Sequence, residues 1–183
     1  MHEKTLADFL PRPTVLLSIG INPSLHAVRA GYPFAFARNR FWPALNGSRL
    51  VAQPLVPGPG AVTELGQRYG IGFTDVVKRA TPGMRGLTAR DFDRDAPRLR
   101  ALIEDLAPAV LWFHGAVAAR GFLRRNGIDD AAIGWGEQGY TVAGARVFIA
   151  PNPSPANARF ALADFIAAYD ALAALRDRVA GRR

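Results

Sequence analysis

Cysteine is absent from the 183 residues, which excludes disulfides, thiolate zinc sites, iron–sulfur clusters and a cysteine nucleophile together. No apolar run approaches the roughly 20 residues that a membrane span needs. Met1-His2-Glu3-Lys4 lacks the basic-then-apolar pattern of a secretory signal. These two absences give the expectation of no membrane attachment and a cytoplasmic location, nucleoid-associated in a bacterium. His2, His26 and His114 show no metal-ligand spacing. There is no G-x-x-x-x-G-K-[ST] and no G-x-G-x-x-G, so the common phosphate cradles are missing. A G-x-S-x-G nucleophile elbow is missing too. Neither a metal nor a cofactor is expected.

What is present reads as one globular domain over residues 1–183, long enough to bury a proper core. Apolar residues make up 49% and charged residues 21%, a balance that argues against disorder. The net charge is +8 and the pI about 10.9. A basic domain of this size suggests a polyanionic partner, nucleic acid first. Almost all the positive charge is arginine and alanine is abundant, a composition that a GC-rich genome also produces.

Strand and helix patterns alternate along the chain. Residues 1–13 read as a short lead-in helix ended by Pro11 and Pro13. Thr14 to Ile19 is β-branched and leucine-rich, a buried strand ended by glycine. Residues 20–39 have no clear period, and a long irregular segment in a compact domain is usually functional. Asn39 to Leu45 suggests a short helix with Asn39 as N-cap. Residues 51–60 form a Pro/Gly loop, a helix follows at 61–69, and Ile71 to Val77 reads as a strand. After the loop Thr81 to Gly86, Thr88-Ala89-Arg90-Asp91 starts a helix to Ala107 in capping-box style. Val110 to Phe113 is a buried strand broken by His114-Gly115, and a helix follows to Arg125. Tyr140 to Val142 and Arg146 to Ala150 flank a hairpin turn at Ala143-Gly144. A long helix, Ala158 to Val179, carries apolar residues at helical spacing. This alternation predicts a largely parallel sheet covered on both faces.

The chain is organised around two stretches that break from buried strands, Gly20-Ile21-Asn22-Pro23-Ser24 and Pro151-Asn152-Pro153-Ser154-Pro155-Ala156-Asn157. In open α/β sheets, ligands bind at the carboxyl ends of strands. The breaks at Asn22, Asp75, His114 and Asn152 should therefore share one edge. An Asn amide holds a water or reads a base edge through its paired donor and acceptor, and it cannot act as a general base. A single Asn-Pro is ordinary turn chemistry; two at one edge of a basic protein point to function.

Gly20-Ile21-Asn22-Pro23, then Gly31-Tyr32-Pro33-Phe34-Ala35 and Asn39-Arg40-Phe41-Trp42, resembles the first motif region of the mismatch-specific uracil/thymine DNA glycosylases, family 2 of the uracil-DNA glycosylase superfamily. Pro151-Asn152-Pro153-Ser154 resembles their second motif, and Gly72-Phe73-Thr74-Asp75 with Thr81-Pro82-Gly83 their middle region. The resemblance runs from Thr14 to Tyr169. It implies a three-layer α/β/α sandwich with a central, mostly parallel sheet. It also implies a monomeric, monofunctional enzyme that flips uracil, and often thymine, from double-stranded DNA and hydrolyses the N-glycosidic bond. Residue by residue, it implies that Asn22 positions the attacking water, Phe34 stacks on the flipped base, and Ile21 and Phe34 line the base pocket. Asn152 would contact the substrate in that pocket, and Ser154 the adjacent phosphate. Pro155-Ala156-Asn157 would enter the duplex as a wedge, and Arg159 would bind or guide the strand. Arg38 and Arg40 are further phosphate candidates, Arg40 alternatively a structural partner of its own turn. Phe41 and Trp42 are expected in the core.

In other uracil glycosylases an Asp occupies the position of Asn22 and a His that of Asn152; without them the chemistry should be slow unless another carboxylate assists. Asp75, after a strand, and Asp93, early in the helix that follows the Thr81 to Gly86 loop, are the candidates. Asp91 fits helix capping better. Ser24 stands where many relatives have Gly, and Pro155-Ala156 where a Gly-Leu wedge is common. A smaller, stiffer wedge suggests looser preference for a G·U mismatch and broader substrate use. The expected nucleophile is water, and the only lysines, Lys4 and Lys78, lie in neither motif, so no lyase activity is expected. Two rivals remain: a non-catalytic nucleic-acid-binding domain on the same scaffold, and a hydrolase of small nucleosides.

Overall fold

A computed structural model describes residues 5–181. Five strands form one sheet in the order β2-β1-β3-β5-β4. They are β1 (Leu16–Gly20), β2 (Ile71–Asp75), β3 (Val110–His114), β4 (Gly136–Val142) and β5 (Ala145–Ala150). The first three and β5 run parallel, and β4 returns antiparallel to β5. The parallel strands are Leu-, Val- and Phe-rich because both faces are covered, so each strand reads as a continuous apolar run. The result is a mostly parallel α/β sandwich of three layers, as the resemblance implied.

Alternation along each strand divides the core in two. Leu16, Ile71, Phe73, Val110, Trp112 and Phe148 pack with α2 (Phe41–Asn46), α3 (Pro59–Tyr69) and α6 (Leu162–Ala180). Leu17, Ile19, Leu111, Phe113, Val147 and Ile149 pack with α4 (Ala89–Leu106) and α5 (Ala116–Leu123). Phe41 and Trp42 are buried, as expected of them. Between β1 and α2 lies α1 (Leu25–Ala30), capped by Ser24, whose Oγ accepts from the Ala27 N–H at 3.1 Å.

Several boundaries differ from the sequence reading. Residues 1–4 of the lead-in helix lie outside the described residues, and 5–13 are not helical. Instead Phe9 pairs antiparallel with Phe73, since Pro11 and Pro13 cannot continue a helix and the free edge of β2 offers partners. The strand read as Ile71 to Val77 ends at Asp75, where Val76 and Val77 turn to donate to the carbonyls of Gly20 and Ile21. The final helix starts at Leu162, not Ala158, with the Asp164 carboxylate accepting from the Ala161 N–H. The strand before the hairpin begins at Gly136, earlier than its apolar residues suggest, because half of it faces solvent. The expected cap of α4 is present: Asp91 accepts from both the N–H and the hydroxyl of Thr88. Among the described residues, no helix is long and apolar enough to cross a membrane.

Candidate active site

The chain passes from β1 to β2 on one side of it and then crosses to β3 on the other, so the carboxyl ends of the parallel strands open onto a switch point where a ligand fits. A cleft of about 350 Å³ lies there. It gathers Asn22, Asp75, His114 and Asn152, the four strand-end breaks, together with Ile21, Phe34, Ser154, Pro155 and Ala156. Asn157 and Arg159 sit beyond its lining, on the same loop.

The amide of Asn22 is fixed by its nitrogen. Nδ2 donates to Thr81 Oγ1 at 2.7 Å and to the Arg79 carbonyl at 2.9 Å. Thr81 Oγ1 in turn donates to the Gly83 carbonyl at 2.9 Å, so it can only accept from Asn22. Both amide hydrogens are thereby committed, and Oδ1 remains as an acceptor. The two loops that make this contact are pinned together, with Ser24 bridged to Thr81 and the Thr81 N–H on the Pro23 carbonyl. Thr81 is a site residue that side-chain chemistry alone did not single out; its place in the middle motif region was the only sign of it.

Asp75 ends β2 directly beside Gly20, its register partner on β1. Its carboxyl makes no hydrogen bond to the described residues. Burial pushes it up to about 7; the Asp8 carboxylate adds to that rise, while Lys78 and Arg98 oppose it. Lys78 Nζ is itself held by Asp8 Oδ1 at 2.7 Å and the Leu6 carbonyl at 2.6 Å, which ties residues 6–9 down as one wall of the cleft. Sequence patterning gave no sign of that wall, because its register comes from edge pairing with β2.

Phe34 has φ 57°, a left-handed conformation that costs a non-glycine residue about 1–3 kcal/mol and tends to persist at functional positions. It stacks on Phe41 with centroids 4.2 Å apart and planes 14° apart. One ring face is thus backed by the core while the residue lines the cleft.

The second Asn-Pro loop is built for shape. Asn152 Oδ1 accepts from the Ser154 N–H at 2.9 Å, and Asn157 Nδ2 donates to the Asn152 carbonyl at 3.0 Å. Gly115, at φ 94°, lets the turn after β3 approach so closely that a Cβ there would lie 2.9 Å from Asn152 Cβ. Arg40 clamps the loop from below: its guanidinium donates to the carbonyls of Ser154, Asn157 and Phe160 and lies over the Phe165 ring, centroid 4.6 Å. Arg40 is thus held in a structural role, but as a partner of the Ser154 to Phe160 loop rather than of its own turn. Arg38 and Arg159 are exposed, each over a neighbouring Phe ring. Pro155 and Ala156 are exposed on the cleft rim.

Asp93 is not brought to the site. It is exposed on α4, ion-paired with Arg125, and absent from the cleft lining. Helical spacing explains this: the turn of α4 that buries Asp91 and Asp95 directs position 93 outward. Asp91 is bound to Arg79, which holds its carboxyl well below the usual range. Among the described residues, no group of three or more His, Asp or Glu is placed to hold a metal ion.

Comparison with known proteins adds family and fold. The model of the uracil DNA glycosylase superfamily matches residues 7–173. A solution NMR structure from Methanosarcina acetivorans, provisionally assigned as a uracil DNA glycosylase, superposes with a TM-score of 0.64 at 19% identity. The match covers 94% of this chain and 99% of that one, a likeness of fold.

Proposed function

This chain belongs to the uracil DNA glycosylase superfamily, and on that premise we propose that it removes uracil from double-stranded DNA by hydrolysis, with Asn22 and Asp75 carrying the chemistry. The observation that carries this reading is their meeting in one cleft at the ends of adjacent strands, one an oriented amide and the other a carboxyl poised near neutrality.

The steps follow from those groups. With the uridine flipped out of the stack, Phe34 would offer its free face to the base. The C1′–N1 bond breaks with its electron pair passing to N1, leaving an oxocarbenium-like sugar and a uracil anion. Asn22 Oδ1 would hold the water that attacks C1′. Asp75, ionised, would accept the proton that this water loses and stabilise the cationic sugar by its charge. The proton that Asp75 takes then passes through solvent to the departed uracil anion, so the overall change is water plus nucleotide to free uracil plus an abasic site, with Asp75 ionised again. A carboxyl near 7 serves this better than an ordinary one, since a base works best with a pKa near the operating pH.

The rim loop at Ser154 to Asn157 would enter the duplex, Ser154 holding the adjacent phosphate, with Arg159 along the strand. A small Pro155-Ala156 wedge supports a G·U-directed enzyme of broadened base range. The test is single-turnover release of base from duplexes carrying G·U, A·U and G·T, with Asn22→Ala beside wild type. Release of uracil that falls about 10²–10⁴-fold in Asn22→Ala is expected. Salt-sensitive DNA binding with no release from any duplex would favour the non-catalytic binding domain.

A further inference from the structure

A second carboxylate stands behind Asp75. Asp8 lies on the segment that Phe9 pairs to the edge of β2, and it accepts from three donors. Thr74 Oγ1 and Lys78 Nζ donate to its Oδ1 at 2.8 and 2.7 Å, and the Arg98 guanidinium donates to its Oδ2 at 3.3 Å. Only 19% of the Asp8 side chain is exposed, so solvent screens these charges weakly. Asp75 follows Thr74 at the end of β2, and its main-chain carbonyl accepts from Arg98 at 2.5 Å. No hydrogen bond or ion pair joins Lys78 or Arg98 to the Asp75 carboxyl; both cations turn to Asp8 instead. Leu6, Ala7 and Phe9 line the cleft, and Asp8 does not.

We propose that Asp8 is a positioning residue of the active site: it engages the Lys78 ammonium and the Arg98 guanidinium, and so leaves the Asp75 carboxyl unpaired and able to take a proton. The proposal rests on the glycosylase reading above and adds to it a residue that acts only through others.

Both cations have architectural work where they stand. Lys78 Nζ holds the Leu6 carbonyl at 2.6 Å, and Arg98 holds the end of β2. Their charge comes with that work, and a nearby cation favours the ionised form of a carboxyl. A carboxylate stabilised in this way is a poor base. Two cations against one carboxylate leave a single positive charge beside Asp75; without Asp8 there would be two. The influences on Asp75 have the matching signs: Lys78 and Arg98 lower it, and Asp8 raises it. These three groups come from the N-terminal segment, the turn after β2 and α4. The other titratable groups that line the cleft, among the described residues, are His26 on α1 and His114 at the end of β3. Burial pushes His114 down to about 3, so it adds no charge near neutrality.

The balance of charge supplies the test. Asp8→Asn keeps an acceptor oxygen and removes the negative charge, Lys78→Met removes one positive charge, and the double variant restores the balance of wild type. In the free protein, 13C NMR follows the titration of the Asp75 carboxyl, its resonance assigned by its loss in Asp75→Asn. The midpoint should fall by about 1 pH unit in Asp8→Asn, rise in Lys78→Met and return close to wild type in the double variant. The pH limb of single-turnover uracil release should move in the same order. A merely structural role for Asp8 predicts the opposite pattern, with the midpoint unmoved and the double variant the most damaged of the three. A midpoint that Asp8→Asn leaves in place or raises overturns the proposal. A midpoint that moves while the rate limb stays overturns it too, since the carboxyl that Asp8 tunes would not be the one the reaction uses. Wild type that releases no uracil from any duplex sinks the glycosylase reading instead, and the NMR midpoints then still decide whether Asp8 governs Asp75.

Discussion

A Cβ at position 20 would lie 2.5 Å from Asp75 Oδ1. Gly20 and Asp75 are register partners on adjacent parallel strands, and the missing side chain of one makes the space for the carboxyl of the other. The glycine of the first motif thus serves the carboxylate of the middle region, a link between stretches 55 residues apart in the chain, from position 20 to position 75.

Gly20→Ala should therefore resemble loss of Asp75 itself. The backbone at position 20 tolerates alanine, since Gly20 is not among the positive-φ residues, so the fold should survive while the carboxyl is displaced. Single-turnover uracil release should fall by about 10²-fold or more with the melting temperature little changed. A rate within a few-fold of wild type would mean that the placement of Asp75 is unimportant.

Asp75→Asn should stabilise the protein, and more so at high pH. The carboxyl titrates near 7 in the folded state against an ordinary 3.8. The unfolded chain therefore gives up its proton first, and wild-type stability declines as pH rises from about 4 to about 7. An amide does not titrate, so the gain in melting temperature should be small at pH 4 and largest above pH 7. Calorimetry across that range checks the sign; a gain that shrinks with pH contradicts a raised carboxyl. A stabilising loss of function is what a strained active-site group produces.

Arg40→Lys should weaken DNA binding without touching the chemistry. One ammonium cannot replace a planar fork that reaches three carbonyls and stacks on Phe165, so the loop at Ser154 to Asn157 should loosen. The expected outcome is a roughly 10-fold rise in the concentration of DNA needed for half-maximal single-turnover rate, with the saturating rate nearly kept. Loss of the saturating rate alone would place Arg40 nearer the reacting atoms than its contacts do.

Much of this site was legible in the chain because strand ends announce themselves: an apolar run broken by a polar residue marks the carboxyl edge of a parallel sheet, and Asn22, Asp75, His114 and Asn152 converge there as that rule requires. The layers followed from the same alternation. What the sequence concealed depends on contacts between distant segments. Asp75 and Asp93 look equal on paper, and only the phase of α4 sends Asp93 outward to Arg125. Thr81 orients Asn22 across two loops. The wall at residues 6–9 exists because an edge strand recruits it, overriding its local pattern. Arg40 carries the same charge as Arg38 and Arg159, and its three carbonyl partners alone set it apart.

The most direct test of Asp75 as the base is the pH dependence of single-turnover uracil release, measured from pH 5 to pH 9 for wild type, Asp75→Asn and Asp93→Ala. Wild type should gain rate with rising pH through a limb near 7, where the carboxyl loses its proton. Asp93→Ala should keep that limb and that rate, while Asp75→Asn should lose both the limb and about 10²–10⁴-fold in rate. An Asp75→Asn enzyme with the wild-type profile would contradict the assignment outright.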